Sequence, residues 1–340
     1  MSELKEKIKI KAREQGFDLI AVISPKPIEG WSDKIGELQA SCYLTSFLGN
    51  EAGKRGNPRE LMASVKSIIM LGLAHDDREK ADLFPGEGRL AQGMGGIDYH
   101  RLLYEKIGAL IKDMEPIVPE DFQYKTFVDD KPIAEKALAV RAGFGFIGKN
   151  SLLINEKLGS HLYIGGVLTN IDLPADDLDD WALFSSCGQC DKCMRTCPTG
   201  AIVEPGVIDT NRCLAQVAQL KGIMPEEYRN KMGYTLYGCD LCQRSCPHNA
   251  SGKGFNESKN VYNLMEIVEM DNKRFKETLG KTAAGWRGRT TLQRNAIIAL
   301  GNWGHEQAIP VLTKALNDQR EVIRHHAKWA LDQIKVKKNT

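Results

Sequence analysis

One stretch near the middle of the chain, Cys187-Gly-Gln-Cys190-Asp-Lys-Cys193-Met-Arg-Thr-Cys197-Pro198, constrains the fold more than any other feature. Its order, C-x2-C-x2-C-x3-C-P, supplies four thiolates to cubane iron–sulfur clusters, the first three to one cluster and the fourth to a second. A second run is therefore required. It occurs as Cys239-Asp-Leu-Cys242-Gln-Arg-Ser-Cys246-Pro247, but Leu236 stands where its first cysteine belongs. Cys213 is the remaining cysteine nearby and completes the eight ligands that two [4Fe–4S] clusters take. Ligand exchange between the runs assigns Cys187, Cys190, Cys193 and Cys246 to one cluster, and Cys197, Cys213, Cys239 and Cys242 to the other. Structural zinc also uses C-x2-C pairs, though not this extended order. Disulfides fit less well, because nine cysteines is an odd number and disulfides are rare in the cytosol. The ninth, Cys42, reads as an ordinary half-buried thiol.

A chain of 340 residues with 42% hydrophobic content is long enough for two or three domains. No window nears eighteen consecutive apolar residues, and Met1-Ser-Glu-Leu-Lys-Glu-Lys-Ile8 lacks the apolar core of a signal peptide. A cytoplasmic protein without membrane contact is expected. The net charge of +2 hides an asymmetry: residues 273–340 carry 14 Lys and Arg against 5 Asp and Glu, leaving 32 against 39 in the rest. A basic carboxy-terminal part on an acidic body points to a polyanionic partner, nucleic acid first. A merely solvated basic surface is the plain alternative.

Leu4, Ile8 and Ala12 share one face of a first helix that Gly16 can end, and Asp18–Ile23 then reads as a buried strand. Residues 24–60 form a long loop or short helix before the apolar run Ser67–Leu73. Phe84–Gly96 is too rich in glycine for a regular element, and Asp98-Tyr-His100 opens an amphipathic helix to about Met114. Pro132 suits the first turn of a helix running through Arg141 to Gly143, which makes Asp129 an N-cap on the plainest reading. Gly143-Phe-Gly145-Phe-Ile-Gly148 matches G-x-G-x-x-G, but it follows a helix and enters a strand-like run, the wrong context for a dinucleotide site. The acidic Asp172–Asp180 reads as a linker. Ala296, Ala299 and Leu300 recur as Ala327, Ala330 and Leu331, which suggests paired helices of the HEAT type.

Taken together, Asp98-Tyr-His100, Val128-Asp129, Arg141–Asn150, both cysteine runs, Leu236–Asp240 and Trp286-Arg-Gly288 through Gln293-Arg-Asn295 closely resemble epoxyqueuosine reductase. The resemblance covers nearly the whole chain. It implies an α+β protein with a nitroreductase-like cobalamin-binding domain (1–175), a ferredoxin-like module with two [4Fe–4S] clusters (176–255) and a HEAT-like helical domain that grips tRNA (256–340). The implied reaction converts an epoxide on the cyclopentane ring of the wobble base of GUN anticodons to an alkene, taking two electrons and two protons and releasing water. By the Val128-Asp129 motif, Asp129 becomes the general acid, which reverses the N-cap reading. The resemblance places cobalamin contacts at Arg55, Asp129, Asn150, Leu153, Ile164, Ala215, Asp240 and Leu241. It puts Trp286, Arg287, Arg289, Arg294 and Asn295 in the tRNA-binding part. Some members carry a cysteine near cobalt where this chain has Ala91. A low-potential electron donor and a monomer complete the expectation. Three other readings stay open at this point: a reductive dehalogenase, a plain electron-transfer protein, and an RNA-binding protein with structural clusters.

Overall fold

The computed structural model describes residues 1–48, 51–75, 83–178, 186–249 and 260–338. Its amino-terminal part is built on an antiparallel sheet in the order β1 (Leu19–Ile23), β2 (Ser67–Ala74), β4 (Leu162–Thr169), β3 (Tyr124–Phe127). Strand β2 is buried along its length, and the period of two divides its side chains between the faces. Ile68 and Met70 enter one core, while Ile69, Leu71 and Leu73 enter the other. Helices α1 (Ser2–Glu14) and α2 (Tyr99–Met114) cover the second face through Ile8, Ala12, Leu103, Ile107 and Leu110. Helix α3 (Glu135–Arg141) covers the first through Leu138 and Val140. Each layer thus buries its apolar side against the sheet. Gly166 makes the close packing of β4 possible, since a Cβ there would lie 2.6 Å from both the Ile69 carbonyl oxygen and the Phe127 ring.

Local chemistry sets the element ends. Asp98 caps α2, its Oδ1 accepting from the His100 amide at 3.0 Å. Helix α1 stops before Gly16, whose φ of +82° suits a residue without Cβ. The helix expected from Pro132 begins only at Glu135, because residues 129–133 form a turn in which the Ile133 amide bonds the Lys131 carbonyl. Asp129 therefore caps no helix. Gly143 closes α3, and Phe146–Ile147 then pairs with Leu153–Ile154 as a hairpin. The glycine-rich stretch consequently opens no helix, as a dinucleotide loop would have to. Residues 24–60 hold a helix, Trp31–Ala40, fastened by Trp31 Nε1 donating to the Ala52 carbonyl at 2.9 Å.

The acidic segment is not a free linker over its described residues. Asp176 takes Lys5 and Lys9 at 2.8 and 2.7 Å and accepts from the Val22 amide, and Asp177 accepts from the Ser24 amide. The rest of it, 179–180, lies outside the described residues.

In the cysteine region two short helices, Lys192–Thr196 and Leu241–Arg244, lie side by side. A three-stranded sheet places Glu87–Leu90 between Thr235–Tyr237 and Val261–Asn263, so the first half of the chain reaches into the second. Helices α4 (Arg289–Trp303), α5 (Ile309–Ala315) and α6 (Glu321–Lys338) form the carboxy-terminal part. Their core runs without a break through Leu264 to Leu236 and Leu214. The repeated alanines Ala296 and Ala299 of α4 and Ala327 and Ala330 of α6 are fully buried. Their small size lets the helices close up, and a Cβ at Gly301 would stand 2.9 Å from the Ala330 Cα.

Candidate active site

The seven cysteines of the two runs and Cys213 are half-buried, whereas Cys42 is exposed at φ +56° rather than half-buried. Electrostatic influence among the eight follows the expected grouping except at Cys242, which also feels Cys193. After burial, which raises its pKa, the Cys193 thiol feels Cys187, Cys246 and Cys190, and Cys246 likewise feels Cys187 and Cys190. Burial and then Cys213 and Cys197 push Cys239 up to about 11. Cys242, pushed to about 12 by burial and then by Cys239 and Cys213, also faces Cys193 and Cys197. Cys197 departs in the other direction, because Thr199 and backbone amides outweigh its burial. Thiols held in the protonated form must release protons on binding iron.

Three contacts fix this region against the sheet domain. Lys149 Nζ donates to the carbonyls of Gly188 and Cys190 at 2.7 and 2.9 Å. Gln243 donates to the Ser160 carbonyl at 3.1 Å, and the Thr210 amide donates to the Tyr43 carbonyl.

The start of α2 meets the turn before α3, where Asp129 is exposed. Tyr99 donates its hydroxyl to Asp129 Oδ2 at 2.7 Å and stacks on Tyr163 at 5.0 Å between ring centres. Asp129 adopts φ +55°, and its amide donates to Glu135 Oε1 at 2.6 Å. Burial, then the Asp129 charge, raises the Glu135 carboxyl well above its ordinary range. Lys136 Nζ is held by the Ser151 carbonyl at 2.6 Å. Burial first, and then Asp129, raises Tyr99 far beyond a normal phenol, so its hydroxyl stays a donor. His100 bonds Asp98 at 2.8 Å.

The expected cobalamin contacts fall on several elements. Arg55 has a buried Nε without a hydrogen-bond partner, and its carbonyl accepts from the Ala134 amide at 2.8 Å. Asn150, Leu153 and Asp240 are buried, while Ile164, Ala215 and Leu241 are half-buried. Asp240 accepts from the Gln92 amide at 3.2 Å, and Gln92 Oε1 is itself buried and unpartnered. Ala91 packs at Gly238, where a Cβ would come within 2.7 Å of its own.

The expected tRNA residues divide in two. Trp286 is 58% exposed, bonds the Tyr237 hydroxyl through Nε1 and lies 5.7 Å from the Phe47 ring. Arg287 stands 4.5 Å from the Trp286 ring and 5.2 Å from Phe47. Arg289 is half-buried and donates to the Met270 carbonyl. Arg294 and Asn295, by contrast, point inward. Arg294 is 1% exposed and donates to the carbonyls of Leu220, Gly222 and Ala218, and Asn295 donates to those of Ala218 and Leu236. Both side chains are buried and committed to backbone carbonyls rather than offered to a phosphate. A cleft of about 310 Å³ at the start of α4 is lined by Lys221, Arg287, Arg289, Arg294 and Thr290 and by no carboxylate.

Sequence reasoning missed Tyr99, Glu135, Lys136, Phe47 and Lys221. Tyr99 sits in the Asp98-Tyr-His100 motif and could have been found there; the others carry no local signal.

Three family models match: epoxyqueuosine reductase QueG over residues 55–130, the 4Fe-4S double cluster binding domain over 186–249 and HEAT repeats over 287–339. The epoxyqueuosine reductase of Staphylococcus aureus is 35% identical, covering 98% of this chain and 89% of its own. An epoxyqueuosine reductase solved with an epoxyqueuosine-modified tRNA-Tyr stem loop superposes with a TM-score of 0.90 at 34% identity, covering 98% of this chain and 90% of that one. The Bacillus subtilis enzyme, in a structure with its catalytic aspartate loop swung out of the active site, gives a TM-score of 0.90 at 33% identity, again over 98% and 90%.

Proposed function

The chain belongs to the epoxyqueuosine reductase family, and from that premise we infer that it reduces epoxyqueuosine in tRNA to queuosine, with electrons passing through two [4Fe–4S] clusters. The observation that carries this is that the sheet domain bearing the Tyr99–Asp129 pair has the double-cluster module fastened to it. Substrate oxygen leaves as water, both carbon–oxygen bonds of the epoxide break and a carbon–carbon double bond forms. The reaction takes up two electrons and two protons.

The assignment of Cys187, Cys190, Cys193 and Cys246 to one cluster, and Cys197, Cys213, Cys239 and Cys242 to the other, is supported by the mutual influence of their thiols.

The residues at the expected contacts fit cobalamin. Buried polar atoms normally have partners, and the orphaned Arg55 Nε and Gln92 Oε1 are matched by the amide-rich edge of a corrinoid. Arg55, Asn150, Leu153, Ile164, Ala215, Asp240 and Leu241 would hold it. When bound it supplies a reactive low-valent cobalt that side chains cannot provide. The protein's own part is proton control: Asp129 delivers a proton to the opening epoxide oxygen, and Tyr99, bonded to Oδ2, directs the carboxyl. Position 91 offers no thiol, so proton delivery does not depend on one here.

The RNA is a tRNA with a GUN anticodon, met by Trp286, Arg287 and Arg289 in the manner of RNA recognition by stacking and phosphate contact. The electron donor is a low-potential one. We place the reaction in the cytoplasm, where tRNA resides, with the chain acting as a monomer. Among the described residues no helix is long and apolar enough to cross a membrane.

The test is an anaerobic reconstitution with iron, sulfide and cobalamin, a strong reductant and epoxyqueuosine tRNA, followed by mass analysis of the nucleosides. Cobalamin-dependent loss of one oxygen atom is expected. Asp129→Asn should keep clusters and cobalamin while losing about 10²- to 10⁴-fold in turnover. Near-normal turnover would remove Asp129 from the acid role.

A further inference from the structure

The turn carrying Asp129 is fastened more heavily than its length requires. Tyr99 donates to Asp129 Oδ2 at 2.7 Å and Tyr104, also on α2, donates to Asp130 Oδ1 at 2.7 Å. Lys131 Nζ lies 2.9 Å from Asp130 Oδ2, and the Asp129 amide is taken by Glu135 Oε1 at 2.6 Å. The left-handed backbone at Asp129, φ +55°, disfavours a residue with Cβ by about 1 kcal/mol or more, so this turn needs external bonds to persist.

We propose that Glu135 is the positioning residue for the acid: it accepts the Asp129 amide and latches the Asp129 turn to the start of α3, and breaking that bond lets the turn swing away. The proposal rests on Asp129 being the acid. The Bacillus subtilis relative has been solved with its catalytic aspartate loop swung out of the active site, the kind of state this latch would control.

The latch carries its own pH dependence. Glu135 faces Asp129 and Asp130 in the turn, Tyr99 and Tyr104 on α2, Arg55 in the 52–56 segment and its neighbour Lys136. Burial and the two aspartates favour its protonated form; the Asp129 amide and Arg55 oppose them and are outweighed. A carboxyl whose pKa is raised in the closed turn binds a proton more firmly there than in the open one. The closed state is therefore fully favoured below the ordinary carboxyl range and is lost as pH rises toward the raised value, with a limiting slope of about tenfold per pH unit.

The experiment is hydrogen exchange at the Asp129 amide, read by mass spectrometry on the full chain carrying clusters and cobalamin, from neutral pH downward and upward, after correction for intrinsic exchange chemistry. In the wild type, protection should fall with rising pH by up to about tenfold per unit. Glu135→Gln keeps an accepting oxygen and cannot titrate, so its protection should be flat with pH. Glu135→Ala should leave the amide weakly protected throughout. A Glu135→Gln slope equal to the wild type's, or wild-type protection in Glu135→Ala, would overturn the latch. If the alanine variant does not fold, the glutamine comparison decides alone. Tyr99→Phe should lower kcat with KM unmoved while keeping the amide protected; loss of protection equal to that in Glu135→Ala would transfer the latch to Tyr99. Turnover of Asp129→Asn tests the acid reading separately, because the amide measurement does not depend on activity.

Discussion

Two arginines a few residues apart show how one residue type serves two ends. Arg287, in the turn before α4, lies at two aromatic rings and donates to the single carbonyl of Gln219, whereas Arg294, within α4, is buried against three carbonyls from residues 218–222. Those carbonyls end a short helical stretch and have few other donors, so the guanidinium supplies what the backbone cannot. Burial, with Arg287 nearby, lowers the Arg294 pKa to about 10, which still leaves it charged at neutral pH. Arg294→Met should destabilise the protein by about 2–4 kcal/mol, because buried acceptors left bare are costly. Arg287→Ala should cost about 1 kcal/mol or less and act on tRNA instead. Urea unfolding of both variants, set beside tRNA titration, separates the roles. Equal loss of stability would reject the division.

At the scale of elements, much of the architecture is legible because burial imposes a period. Ile68–Leu73 reads as a strand from its composition, and the alternation of its side chains between two cores follows from the pleat. The alanines at an offset of one helical repeat mark where α4 and α6 approach, because only small residues tolerate that spacing. The cysteines are legible for a different reason: a cluster demands fixed spacing. What spacing does not reveal is direction. A basic residue on a terminal helix looks like surface until the core beneath it is known, which is why Arg294 and Asn295 could be grouped with Arg287. Nor does anything local mark Glu135, whose partner lies across a turn that Pro132 makes look helical. His326 is the comparable case on α6. It accepts from the Met224 amide at 3.2 Å and bonds the Val322 carbonyl at 2.6 Å, fastening α6 to a distant segment while fully buried. Burial lowers its pKa to about 4. A histidine depressed in the folded state contributes stability above its ordinary pKa and loses it as pH falls through the folded value. Between pH 7 and pH 5 the loss should be about 2 kcal/mol. Denaturant unfolding at both values should show it, and His326→Gln should remove most of the difference; an unchanged difference would place the acid sensitivity elsewhere.

For the whole molecule, the decisive arrangement is that a basic carboxy-terminal part shares one core with the segment following the first cysteine run, so the proposed RNA surface is tied to the cysteine region. Lys221, which follows that run, and Arg287 and Arg289, which belong to the helical part, converge on a single cleft without a carboxylate. Convergence from two parts of the chain suits the cleft to the proposed RNA contact, since a phosphate held there would fix where the wobble base can reach. Phosphate contact releases counterions, so the logarithm of the binding constant should fall linearly with the logarithm of salt concentration. Each phosphate contact removed should reduce the slope by about 0.7 to 0.9, whereas loss of a stacking ring should lower affinity and leave the slope alone. Lys221→Ala with Arg289→Ala is therefore expected to flatten the dependence by roughly 1.4 to 1.8, and Trp286→Ala to weaken binding at every salt concentration by a constant factor. Binding of an epoxyqueuosine tRNA stem loop across a salt series, with the iron–sulfur absorbance of each variant verified, measures both. If the double variant keeps the wild-type slope, the cleft holds no phosphate and the basic excess of residues 273–340 acts only as a diffuse attraction.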